Sequence, residues 1–253
     1  MIDIHPYILP LHENGPNHMQ GAVEIAREAE RDGVHTIIAA PKYHPDTSEF
    51  LINDIHTTVD GLNAKLKEEN IEVIILAAET IRLHGDLLEE VEQHHVTAIG
   101  SSESYVLIDV PNHQLPMYFS EVIYDMQLKQ YKPVFIHPEK NSLFIEEPNA
   151  IYDFVKKGAL VQISATSLLG KNGRKIQKFS RRLLEHQLVH FLGSGAKTPN
   201  DYALEKAYQY ITKEFGAHQS EQLQLNVKNM LRGETVISDE PVRLRKKKLF
   251  GII

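Results

Sequence analysis

The sequence predicts an α/β protein: one parallel sheet with helices outside it. Three observations carry this. Seven short apolar runs recur along the chain, stretches with helical spacing separate them, and polar residues cluster where each run ends. A (β/α) barrel fits the count, one unit short of eight, and a doubly wound open sheet is the alternative. In either, the active site lies at the C-terminal ends of the strands.

The runs are Ile2–His5, Thr36–Ala40, Glu72–Leu76, Tyr105–Val110, Pro133–His137, Ala159–Ile163 and Val189–Leu192. Each is short and mostly apolar, as strands buried on both faces are. In the first helix Met19, Ala22, Val23, Ala26 and Ala29 share one face, and Gly33 ends it. Further helices are expected over about 48–69, 85–94, 117–131, 146–157, 172–187 and 201–232, the last broken near Gly216.

The chain has 253 residues, enough for one barrel-sized domain, expected over 1–235 and followed by a basic tail, 236–253. No cysteine is present, which excludes disulfides and a thiolate nucleophile. A net charge of -7 argues against a nucleic-acid partner. No apolar run reaches the roughly 18 residues of a membrane span. The N-terminus lacks a signal peptide's basic and apolar regions, so a cytoplasmic protein is expected.

The run ends carry His5 and Tyr7; Pro41, Lys42, Tyr43 and His44; Glu79 and Thr80; Asp109; His137, Glu139 and Lys140; Ser164 and Thr166; and Ser194, Gly195 and Lys197. Asp3-Ile4-His5-Pro6-Tyr7-Ile8-Leu9-Pro10, followed by Glu13-Asn14-Gly15, resembles the opening D-I-H-x-H-I-L-P…D-D-G of the CpsB/CapC-type protein-tyrosine phosphatases, in the PHP (polymerase and histidinol phosphatase) superfamily. Ile136–Lys140 is similar to that family's A-H-P-E-R, Ser167–Gly173 to its S-L-x-G-x-x-G, and Phe191–Lys197 to its F-I-G-S-D-A-H. The resemblance implies a distorted (β/α)7 barrel and a cluster of divalent metals, manganese or similar. It also implies attack of metal-bound hydroxide on phosphotyrosine, the substrate being the tail of a tyrosine kinase controlling capsule or exopolysaccharide synthesis.

Carried over residue by residue, His5 and His137 match ligand histidines. Tyr7, Asn14, Lys42, Thr80, Gly195 and Lys197 stand where the family has other ligands, and Lys140 replaces its phosphate-holding arginine. Two neutral imidazoles do not assemble a multinuclear site, so the metal is expected to be absent or weakly bound. Two readings follow. In the first, Lys42, Lys140 and Lys197 form an anion pocket around His5 and His137 that holds phosphate or phosphotyrosine without efficient hydrolysis; Tyr7 and Tyr43 then pack against an aromatic ring, or fill space. In the second, a rebuilt metal site of His5, Glu13, His44, Glu79, Asp109 and His137 still catalyses, with Lys140 and His137 in catalytic roles. A purely structural subunit, assembling with active relatives or itself, is the third. The basic residues from Lys171 to Lys178 read as a solvated helix face. The tail Arg243–Phe250 reads as a loose terminus or a docking segment.

Overall fold

The computed structural model describes residues 1–43, 48–112 and 115–244. Strands and helices alternate as β1 (Ile2–Ile4), α1 (Met19–Arg31), β2 (Thr36–Ala39), α2 (Ser48–Glu68), β3 (Ile74–Ala77), β4 (Thr80–Arg82), α3 (Leu87–Glu92) and β5 (Tyr105–Asp109). The second half continues with α4 (Phe119–Leu128), β6 (Lys132–Ile136), a 3-10 turn (Pro138–Lys140), α5 (Ser142–Glu146), α6 (Pro148–Lys156), β7 (Leu160–Ser164), α7 (Ala165–Leu168), α8 (Arg174–Glu185) and β8 (Phe191–Gly193). A second 3-10 turn (Pro199–Asp201), α9 (Leu204–Phe215) and α10 (Ala217–Leu231) complete it, the last two parted at Gly216 as expected. The helix expected over 146–157 is α6, and the short α5, which the spacing does not reveal, precedes it, parted from it at Glu147 ahead of Pro148.

All pairings between these strands are parallel, but a single closed sheet is not formed among the described residues. Order β1-β2-β3 makes one sheet and β4-β5-β6-β7-β8 another. The break falls at the short strand β4, which periodicity does not reveal. Two residues after β3 the chain re-enters pairing with β5, and an isolated Lys42–Thr80 bridge, not a ladder, joins it to the exit of β2. Strand β3 is thereby an edge, and its alternate residues Ile74 and Leu76 are exposed rather than buried.

At the other seam β1 and β8 lie side by side without a ladder. Asp3 Oδ1 accepts from Ser194 N at 2.6 Å, and Tyr7 N donates to Ala196 O at 2.9 Å. A Cβ on Gly193 would lie 2.0 Å from the Ile4 carbonyl oxygen, so glycine permits this approach.

Alternation along the strands divides the core in two. Ile37, Val106, Ile108, Phe135 and Val161 point outward to the helices; there Phe119, Phe135 and Phe154 interlock at 4.2–5.8 Å between ring centroids. Ile4, Ile38, Leu107, Val134 and Phe191 point inward and pack with Val227 and Met230 of α10. The inner core fills the space within the sheets below the strands' C-terminal ends and leaves that end to polar residues. No helix among the described residues is long and apolar enough to cross a membrane. Val242 N donates to His186 O, Arg243 pairs with Asp153 at 3.1 Å and Leu244 is buried, so the chain packs back as far as it is described.

Candidate functional site

The exits of β1 and β6 place two histidines face to face. His5 (φ 60°) and His137 (φ 48°) both hold left-handed backbone, a conformation costly for non-glycine residues and found where a site over-determines it. Each is pinned by its own N–H, His5 to Ile38 O and His137 to Gln162 O, both at 2.9 Å. The imidazoles meet at 3.2 Å, His137 Nε2 to His5 Nδ1, with ring centroids 5.0 Å apart. One ring must donate and the other accept, which needs at least one neutral tautomer.

Electrostatics favours two neutral rings. Burial lowers the His5 pKa to about 4, with Lys140 and Lys42 adding to it. Burial likewise holds His137 well below its ordinary value, reinforced by Lys140, His5 and Lys197. The second nitrogen of His137, Nδ1, has no hydrogen-bond partner among the described residues and lies 3.8 Å from Glu139 Oε1. Glu139 is fully buried; its Oε1 accepts from Ser164 N (3.1 Å) and Oγ (2.9 Å).

These histidines line a cavity of about 230 Å³ together with Tyr7, Glu13, Asn14, Lys42, Asp109, Asn112, Lys140 and Asn141. Tyr7 packs edge-on to His5 at 5.2 Å, and burial pushes its phenol up to about 12, so it stays a donor. Lys42 reaches Glu13 Oε1 at 3.2 Å and Asp109 Oδ2 at 3.9 Å. Asp109 is raised by burial, an effect opposed by Lys42 and Arg82. Lys197 donates to Asn14 Oδ1 at 2.7 Å and sits 4.9 Å from the centre of the Tyr7 ring. Lys140, half-buried, has neither side-chain hydrogen bond nor ion pair among the described residues; burial lowers its pKa, Glu139 opposes this, and Lys197 adds to it.

Eight residues singled out from the sequence thus line one cavity: His5, Tyr7, Glu13, Asn14, Lys42, Asp109, His137 and Lys140. Others lie elsewhere. Glu79 is buried with Oε2 accepting from Thr97 N at 2.8 Å, outside the cavity lining. It stands just before β4, and one residue along a strand reverses the face a side chain takes. Thr80 Oγ1 donates to the Ala40 carbonyl at 3.2 Å. Tyr43 is buried in the outer core rather than stacked in the cavity. Gly195 has φ 64°, and a Cβ there would meet Ser164 Cβ at 2.6 Å. His44 lies outside the described residues.

Sequence reasoning missed Asn112, Asn141 and Asp3. Asn141 caps α5 through Leu143 N and donates to the Val110 and Pro111 carbonyls, fixing the cavity wall; the Asn-Ser helix start was its signal. Asp3 also accepts from Tyr202 Oη at 2.6 Å, and burial raises its carboxyl to about 6; an acid inside an apolar strand was its signal. Among the described residues no group of three or more histidines and acids is placed to hold a metal ion.

Comparison with known proteins agrees over nearly the whole chain. The family model described as "Capsular polysaccharide synthesis, CpsB/CapC" matches residues 1–232. Tyrosine-protein phosphatase YwqE of Bacillus subtilis (strain 168) is 35% identical over 254 residues, 99% of each chain. Tyrosine-protein phosphatase CpsB of Streptococcus pneumoniae is 23% identical over 230 residues, 88% of this chain and 94% of its own. Among solved structures, one from work on YwqE and CpsB as metal-dependent tyrosine phosphatases superposes with a TM-score of 0.90 at 32% identity, covering 97% of this chain and 100% of that one.

Proposed function

Since the chain belongs to the CpsB/CapC family, we propose that it recognises phosphotyrosine on a bacterial tyrosine kinase of capsule or exopolysaccharide synthesis in the cytoplasm, as a regulator with weakened or lost hydrolysis. The observation that carries this is that Lys42 and Lys140 line the cavity of His5 and His137, with Lys197 outside its lining but reaching its rim at Asn14 and the Tyr7 ring.

The donor set supports it. A cluster of divalent metals needs several anionic oxygen ligands. Here two imidazoles hydrogen-bond each other, and Glu13 and Asp109 lie against an ammonium group. These residues do not fit such a cluster, so no hydrolytic step is derived through one. They fit an anion: Lys140 offers an unpaired charge, Lys197 a second, Tyr7 a ring face and a phenolic donor. The competing reading, an active phosphatase with a rebuilt site, is favoured by one observation: Glu13, Asp109, His5 and His137 share the cavity.

The test is elemental analysis of the purified chain, combined with phosphotyrosine-peptide binding and hydrolysis with added manganese. Binding without phosphate release, abolished by Lys42, Lys140 and Lys197 to alanine, is expected. Stoichiometric metal with multiple-turnover phosphate release overturns the proposal in favour of the active enzyme.

A further inference from the structure

Helix α8 carries Arg174, Lys175, Lys178, Arg181 and Arg182, against a single acid, Glu185, at its last position. At 3.6 residues per turn the five cations fall within an arc of roughly 120°. The opposite side, with Phe179, Leu183 and Leu184, is buried in the core. Arg174, Lys175 and Lys178 are exposed and form no ion pair among the described residues, while Arg181 sits 5.0 Å over the Tyr210 ring.

This arrangement works against the helix that bears it. Arg174–Lys178 and Lys178–Arg182 are like charges at i,i+4, and Lys175–Lys178 and Lys178–Arg181 at i,i+3. Arg174 and Lys175 occupy the first turn, where the macrodipole favours acids; that turn holds no acid and has no side-chain cap. The chain carries an excess of acids, net charge -7, yet among the described residues none of them pairs with Arg174, Lys175 or Lys178. A local rule broken without compensation within the fold is expected at a binding surface.

The stripe starts beside the cavity. Following β7, the N-terminus of α8 lies at the C-terminal end of the strands, and Asn172 ties the preceding loop to Thr166 (3.2 Å) and Ser167 (3.1 Å). The helix packs against the 3-10 turn Pro138–Lys140 that bears Lys140.

We propose that α8 is a docking surface for an acidic polypeptide segment, so that a peptide with its phosphotyrosine in the cavity lays an Asp/Glu-rich flank over Arg174, Lys175 and Lys178. The occupant of the cavity rests on the function proposed above; the stripe does not. Twelve residues of helix span about 18 Å, which an extended strand covers with about five residues. An anionic membrane is the lesser match, because an interfacial helix inserts an apolar face and that of α8 is buried.

Fluorescence anisotropy on the full chain tests this with three peptides of equal length: phosphotyrosine with a neutral flank, phosphotyrosine with an acidic flank, and the acidic flank with unmodified tyrosine. The acidic flank is expected to tighten phosphopeptide binding roughly tenfold at low salt, an advantage that fades as salt rises. Arg174→Gln/Lys175→Gln/Lys178→Gln removes that advantage and leaves the neutral-flank peptide's affinity unchanged. The unmodified acidic peptide binds weakly and loses binding in the same variant. Equal affinity for both phosphopeptides, an advantage that survives the triple substitution, or preferential loss of phosphatidylglycerol-vesicle binding overturns the surface. If the neutral-flank phosphopeptide does not bind while the acidic peptides remain sensitive to the triple substitution, the cavity reading fails and the surface stands.

Discussion

Lys140→Met is expected to stabilise the fold and weaken phosphopeptide binding at the same time. Lys140 is half-buried, its ammonium group makes no hydrogen bond or ion pair among the described residues, and it feels the charge of Lys197. Its neighbour Glu139 opposes the effect only in part, its Oε1 being engaged by Ser164. Replacing a buried charge by an apolar side chain of similar length is neutral or stabilising by up to about 4 kcal/mol, and a half-buried group belongs in the lower part, about 1–2 kcal/mol. For a domain of this size that raises Tm by about 2–8 °C. In the complex the same ammonium would make a charge-assisted hydrogen bond of about 1.5–3 kcal/mol, so the substitution weakens binding roughly ten- to hundredfold. Thermal melts followed by circular dichroism, and peptide anisotropy in phosphate-free buffer, read the two effects. Lys140 also depresses both histidines, so NMR titration of the variant should find His5 above its present value of about 4. A less stable variant with undiminished binding would refute the reasoning and make Lys140 a structural residue.

Three further outcomes follow. Glu13→Gln releases Lys42 from its carboxylate partner at 3.2 Å; the pair is surface-accessible and contributes under about 1 kcal/mol, so stability holds while phosphopeptide affinity rises, and unchanged affinity counts against Lys42 as part of the anion site. Gly195→Asp forces a Cβ to within 2.6 Å of Ser164 Cβ at φ 64°; a loss of about 1–3 kcal/mol in urea denaturation is expected, with no gain of manganese binding by calorimetry, and an undestabilised variant refutes the strain argument. His190 is held at about 4 by burial, so the unfolded chain takes up the proton first: its contribution is complete above about 6.5 and is lost as pH falls towards 4. His5 acts in the same direction, whereas Asp3, raised to about 6, favours the fold at low pH and loses that contribution as pH rises through 6. His190→Gln should therefore reduce the fall in stability between pH 7 and pH 4.5 by about 2–3 kcal/mol; an unaltered pH profile refutes it.

Much of the fold is legible along the chain because its signals are local. The face of Ala22, Val23, Ala26 and Ala29 ending at Gly33, and the break at Gly216, depend only on helical spacing and glycine's conformational freedom. The parallel strands follow from short apolar runs that alternate with helices. The split into two sheets was not legible: β4 spans three residues, too few for a period, and its pairing depends on partners 27 residues away in β5. For the site, Glu13 and Asn14 were singled out only by the resemblance to the family's opening motif, whereas position at a strand end marked His5, Tyr7, Lys42, Asp109, His137 and Lys140. The same logic offered Glu79 and Tyr43, which the tertiary structure turns to Thr97 N and to the core.

Residue order thus determined which charges stand at the ends of the strands, Lys42, Asp109 and Lys140 among them. Only the tertiary structure decided which of those charges is compensated. Lys42 lies against Glu13 and Asp109, residues 29 and 67 positions away in the numbering; Lys197 reaches Asn14 across the β1–β8 seam; Lys140 has no ion-pair partner among the described residues. Electrostatic interaction depends on distance through space and on burial, neither of which is a local property of the chain. The two imidazoles illustrate the same limit: their identities are written at positions 5 and 137, but their mutual hydrogen bond and neutrality arise only where the exits of β1 and β6, in different sheets, bring the two rings together in a buried pocket.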